Sequence, residues 1–203
     1  IEQPHQLDRY VIGVDVSGGV GGDYSAIVVV SVGTLQPVYV QRSNRVSPKE
    51  WAHEVVRVAT RYNQGLVLVE SNNHGHAVLL ELEHCAYRQL WRHPATGKAW
   101  TTTKQSKLDA LSTLRDHLEV ITRMDRALWM ELRSLTLPAG KATPEAPPGS
   151  HEDLAIACAL AYRALRDVPP SWRQDGHRAI RSRAGNLIGK ARAKRLRGRQ
   201  LPF

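Results

Sequence analysis

The spacing of hydrophobic positions changes character several times along the chain. Arg9 to Val16 and Ser25 to Val32 are dense in Val and Ile, and Pro37 to Arg42 reads as a third strand, so the chain is predicted to open as a meander of three strands. After Ser47-Pro48-Lys49-Glu50 the apolar residues recur as Trp51, Val55, Val58 and Tyr62, which is one stripe of a helix. The four leading residues suit its start: Ser47 can cap, Pro48 fits the first helical position, and Glu50 can bond back. Gly65 closes that helix. Leu66-Val67-Leu68-Val69 is then an unbroken apolar run, the pattern of a strand covered on both faces, and it ends on Glu70. Strand, helix and strand in this order imply a right-handed crossover and a parallel pairing with an earlier strand.

Beyond a polar loop at Ser71 to Gly75, Ala77 to Cys85 reads as a second helix and Tyr87 to Trp91 as a further short strand. Lys107 to Leu118 and Arg126 to Leu135 are helical stretches. Leu137 to Gly149 holds four prolines and two glycines and is expected to be a long loop or bent hairpin. Ser150 to Arg166 has the clearest helical pattern. Its stripe of Leu154, Ala157, Cys158, Ala161, Tyr162 and Leu165 is mostly small, so it can lie close against a sheet. Pro169-Pro170 ends it. The pattern therefore predicts an α/β domain at 9–168, between a polar linker at 1–8 and a tail at 169–203.

Composition locates the charge. The net charge of +9 comes from 28 Lys and Arg against 19 acids, and ten of the 28 but only one acid, Asp175, lie after residue 170. The body is balanced and the excess is in the tail, which suits a polyanion or acidic partner or, more simply, a solvated arm. No apolar run reaches the ~18 residues of a membrane span, and no signal pattern opens the chain, so a cytosol-like compartment is expected. The two cysteines, Cys85 and Cys158, have no C-x-x-C partner and are expected to be reduced.

Candidate chemistry begins with Asp15, an acid carried by a Val/Ile strand, where a carboxylate is costly unless a cation compensates it. A loop with Gly18, Gly19, Gly21 and Gly22 follows and holds Asp23. Alone, this stretch fits a phosphate loop as well as a metal site. Glu70 at a strand end and Asp153 at a helix start add two acids where active groups collect in parallel sheets. Three such acids resemble hard oxygen ligands for magnesium or manganese. Each also has a plain structural reading: Asp23 as a turn former, Glu70 as a solvated strand end, and Asp153 as part of the capping pattern Ser150-His151-Glu152-Asp153. His74, His76 and His84 beside Cys85 invite a zinc reading, but ligands crowded on one loop and helix make a poor tetrahedral set. His74 or His151 could assist proton transfer.

The runs GVDVSGGVGGDYSAIVVV, VLVESNNHG and HEDLAIACALAYRAL resemble the nuclease domain of the large terminase subunits of tailed bacteriophages, over about residues 9 to 168. The resemblance implies a ribonuclease H-like mixed sheet, with the first three strands antiparallel and later ones parallel, flanked by helices. It implies that Asp15, Glu70 and Asp153 bind two Mg²⁺ or Mn²⁺ ions, with Asp23 matching an additional acid of the glycine loop. It further implies a two-metal-ion endodeoxyribonuclease that cuts concatemeric viral DNA during packaging in the host cytoplasm. The partners would be double-stranded DNA, the portal protein, the terminase ATPase domain and the small subunit, with no membrane. Lys104 and Lys107 in TTTKQSKLDALSTL, and Arg192, Lys194, Arg195 and Arg197 in the tail, are candidate DNA contacts. None of the Gly-Lys pairs is followed by Ser or Thr, so the chain is expected to be the carboxyl-terminal nuclease portion without the packaging ATPase. The competing expectations are another ribonuclease H-like nuclease such as a junction resolvase, an actin-like or sugar-kinase-type ATPase, and a non-catalytic docking module.

Overall fold

The computed structural model describes residues 2–174. Four strands, β1 (Tyr10–Asp15), β2 (Ser25–Ser31), β3 (Pro37–Ser43) and β4 (Leu66–Val69), form one sheet in the order β3-β2-β1-β4. The meander pairs antiparallel, and β4 joins β1 in parallel across the helix α1 (Pro48–Arg61). The expected mixed sheet is thus present. The helix between β1's partner strands and β4 begins as its sequence dictates. Ser47 accepts from the Glu50 N–H, and the Glu50 carboxylate accepts from the Ser47 N–H at 3.1 Å.

Side chains of a strand alternate between faces, and here the alternation divides the core in two. Tyr10, Ile12 and Val14 of β1, with Ile27, Val29, Val67 and Val69, pack against α1 and α2 (Gly75–His84). Val11, Ala26, Val28, Val30 and Leu68 pack on the other side against α5 (Asp153–Arg166), with α3 (Lys104–Arg115) and α4 (Arg126–Ser134) outside it. Residues 153 to 165 of α5 are all buried. The close approach rests on Gly13. A Cβ there would lie 1.9 Å from the Ala157 carbonyl oxygen and 2.5 Å from the Ala161 nitrogen, so the small stripe of α5 sits directly on the glycine of β1.

Several boundaries shift for local reasons. Helix α3 starts three residues before the expected Lys107, because Thr103 and Ser106 form a capping box of their own, and it gives way to a short 3₁₀ turn at Leu118–Val120. Tyr87 to Trp91 is not a full strand. It contributes one parallel bridge, Leu90 to Val67, and a second bridge joins Trp100 to Glu70. Residues 137–149 fold as a bent hairpin closed by a bridge between Thr136 and Glu145. Helix α5 begins at Asp153, not Ser150, and its preceding residue, Glu152, supplies no side-chain cap. Trp172 packs against the core on the α5 side, and the Arg9 guanidinium lies 5.6 Å over its ring. Among the described residues, no helix is long and apolar enough to cross a membrane.

Candidate active site

Strand register brings the first two acids together. The parallel ladder pairs Val14 with Val69, and the Glu70 N–H donates to the Val14 carbonyl at 3.1 Å, so Asp15 and Glu70 are neighbours at the carboxyl ends of adjacent strands. Parity places both on the α5 side, in step with Val11 and Leu68. The Glu70 side chain bears on the Asp15 carboxyl. Burial, and after it the charges of Glu70 and Asp153, hold Asp15 well above the usual carboxylate range, against a smaller pull from the Val16 N–H. Glu70 is fixed from the other side. Asn72 donates to its Oε1 at 3.1 Å and to the Thr102 carbonyl at 2.9 Å, and a Cβ on Gly75 would lie 1.7 Å from the Glu70 carbonyl oxygen. Only glycine lets α2 start so close behind this strand.

Asp153 arrives from the third element. It stands one helical turn before Ala157, which touches Gly13, and Gly13 stands two residues before Asp15 on the same face. The contact of α5 with β1 therefore sets where Asp153 stands relative to Asp15. Asp153 is 9% exposed, and its Oδ2 is buried with no hydrogen-bond partner. Burial first, then the Glu131 carboxylate and more weakly Asp23, push it up to about 6, against its own backbone N–H and His151. His151 Nδ1 is 3.6 Å from Oδ2, and its ring meets Tyr24 edge-on at 4.8 Å.

The glycine loop closes the site. Gly21 donates its N–H to Asn44 at 2.9 Å, and Gly19, at φ +70°, abuts the Val46 carbonyl, so the loop is pinned to the segment before α1. Between this loop, Asn73, His74 and Asp153 lies a cleft of about 350 Å³ that Asp23 also lines. Asp23 is exposed, and its charge acts on Asp153.

A buried polar atom without a partner is costly, and Asp153 Oδ2 is such an atom, on a residue whose charge acts on Asp15. That is the arrangement a divalent cation relieves. All the donors are oxygens, which fits Mg²⁺ or Mn²⁺.

Glu131 of α4 is the functional residue that the sequence did not disclose. It is 6% exposed, and its Oε2 accepts from the N–H groups of Leu154 and Ala155 at 2.7 and 3.2 Å, supplying the cap that α5 lacks. Its Oε1 pairs with Arg42 at 2.7 Å, and that guanidinium stacks 4.6 Å over Tyr24. Glu131 thus positions the start of α5 and adds charge beside Asp153. The available signal was its place three residues after the buried Leu128 on the inward stripe of α4. Glu152 turns away from the site. It binds Lys107 Nζ at 2.6 Å and the Ala146 N–H at 3.0 Å. Lys107 is thereby engaged and mostly covered, whereas Lys104 is exposed. Arg192, Lys194, Arg195 and Arg197 lie outside the described residues.

A sequence model of the terminase RNaseH-like domain matches residues 12–165. The chain belongs to that family. No curated protein matches it by sequence. Among solved structures it is similar to the large terminase nuclease of thermophilic phage G20c with bound magnesium, at 21% identity and a TM-score of 0.68 over 80% of this chain and 85% of that one. The large terminase nuclease domain of Thermus phage P74-26 gives 21% identity and 0.64 over 80% and 82%. The nuclease domain of the bacteriophage SPP1 large terminase with bound Mn gives 14% and 0.50 over 80% and 89%. At these identities the likeness is one of fold, and it agrees with the ribonuclease H-like sheet described above. Family membership sets aside the actin-like and sugar-kinase readings.

Proposed function

We propose that this terminase-family domain is a divalent-metal-dependent endonuclease that hydrolyses double-stranded DNA during viral genome packaging. Asp15, Glu70 and Asp153 would hold two ions, with Asp23 at the Asp153 end. The observation that supports this reading is the buried Asp153 Oδ2 without a hydrogen-bond partner, on a residue whose charge, with that of Glu70, raises Asp15. The relatives with bound magnesium or Mn share its fold. Such ions lower the pKa of a bound water and neutralise charge that develops on the phosphate oxygens.

The chain's own residues then have definite tasks. Asp15 and Glu70 present two carboxylates at one sheet edge, and Asp153 presents the third from a helix start that Glu131 caps. His74 on the cleft wall and His151 beside Asp153 are placed to take up or deliver a proton. The slim glycine loop leaves room for a DNA backbone, and Lys104 can meet a phosphate. In this role the partners are duplex DNA, the portal protein, the terminase ATPase region and the small subunit, in the host cytoplasm.

Plasmid cleavage tests the proposal. The protein should nick and linearise supercoiled DNA with Mg²⁺ or Mn²⁺ and not with EDTA. Asp15→Asn or Asp153→Asn should reduce the rate about a hundredfold or more, since several kcal/mol of charge stabilisation are removed. Full activity in either variant would contradict it and leave a docking module with structural acids.

A further inference from the structure

The histidines near Cys85 look unsuited to a metal in the sequence because they share one loop and helix. The fold supplies the missing second element. Helices α1 and α2 pack side by side, and His53 of α1 comes to rest between two residues of α2, Glu81 and Cys85. Its Nε2 is 3.2 Å from Glu81 Oε1 and its Nδ1 is 3.6 Å from Cys85 Sγ. One ligand atom from each of the three residues can be chosen so that all lie within 4.8 Å of one another. Glu81 and Cys85 are four residues apart and therefore share one helix face. The second oxygen of Glu81 is 3.6 Å from His84 Nδ1, so that carboxylate is held on both sides.

We propose that His53, Glu81 and Cys85 form a zinc-binding site that clamps α1 to α2, on the sheet face opposite the candidate active site. The donor chemistry selects the ion. A thiolate and an imidazole with one carboxylate favour Zn²⁺ over Mg²⁺, and the two negative ligands balance its charge. His53 is exposed, so water reaches the fourth position and completes a tetrahedron. On binding, the Cys85 thiol gives its proton to solvent and its sulfur lone pair to the ion. Cys158 cannot substitute, because it is fully buried in α5 and burial pushes its thiol far above the usual range.

Cobalt titration of the full chain, stripped of metal with a chelator, distinguishes this site from the oxygen-only acids. One equivalent of Co²⁺ should produce the intense near-ultraviolet thiolate-to-cobalt absorption, and Zn²⁺ should displace it. The band should persist in Asp153→Asn and be lost in Cys85→Ser and in His53→Ala, with unchanged circular dichroism showing that both variants fold. Plasmid cleavage by His53→Ala should match the wild type, so the two sites are read separately. Absence of the band in the wild type, its survival at full strength in Cys85→Ser or His53→Ala, or its resistance to Zn²⁺ would overturn the proposal.

Discussion

Asp153 is a buried carboxyl whose charged form the fold disfavours. Its folded value of about 6 lies above the ordinary aspartate value of about 3.9 expected in the unfolded chain. A raised carboxyl stabilises the fold fully at pH below the unfolded value, and that contribution disappears as pH climbs through the folded one. The metal-free protein should therefore lose stability between about pH 4 and pH 6, by roughly 1–2 kcal/mol from this residue once solvent screening is allowed for. Asp15 shifts in the same direction and adds to the loss. A divalent ion needs the deprotonated forms, so Mn²⁺ should raise the melting temperature more at about pH 7.5 than at about pH 5. Asp153→Asn should melt no lower than the wild type without metal at the higher pH, and should lose most of the Mn²⁺-induced shift. Thermal melts at both pH values check this, and equal Mn²⁺ shifts at the two pH values would count against it.

At the scale of elements, the site depends on how closely α5 lies on β1. Gly13→Ala would place a methyl 1.9 Å from the Ala157 carbonyl, and neither backbone can yield without moving the helix. The expected cost is about 1–3 kcal/mol or more, measured by urea unfolding. Cleavage by the folded fraction should also fall, because Asp15 and Asp153 flank this contact. Wild-type cleavage and stability in Gly13→Ala would refute the coupling. These contacts explain what could be read in advance. The small stripe of α5 and the glycine of β1 were visible as patterns, and the Ser47–Glu50 capping box formed as written. The start of α5 is not legible in the local pattern because its cap comes from Glu131, which lies on another helix, twenty-three residues before the Leu154 N–H it accepts from. Local pattern carries no information about such a partner. The same limitation hid His53, whose neighbours Glu81 and Cys85 lie on α2. The sequence suggests a short strand at Tyr87 to Trp91, but only Leu90 finds a bridge partner there.

Across the whole molecule, charge is separated from chemistry. Asp15 and Glu70 end adjacent strands of a body whose charges balance, while the surplus of positive charge lies after residue 170. Removing residues 175–203 should lower duplex affinity and flatten its dependence on salt, since fewer phosphates are neutralised. Metal-dependent cleavage should remain. Equilibrium binding at several salt concentrations checks this, and an unchanged slope would mean that the tail is not a DNA contact. The order of elements and the positions of Asp15, Glu70 and Asp153 could be followed from the sequence because each acid ends or begins an element. That Asp15 and Glu70 are neighbours, and that α5 reaches β1 through Gly13, needed register and packing, which only the folded chain supplies. The central claim is that these three acids hold divalent metal, and anomalous scattering from crystals soaked in Mn²⁺ tests it most directly. A manganese peak coordinated by Asp153 Oδ2 together with the Asp15–Glu70 pair is the predicted result, and saturating Mn²⁺ with no peak at these carboxylates would contradict it.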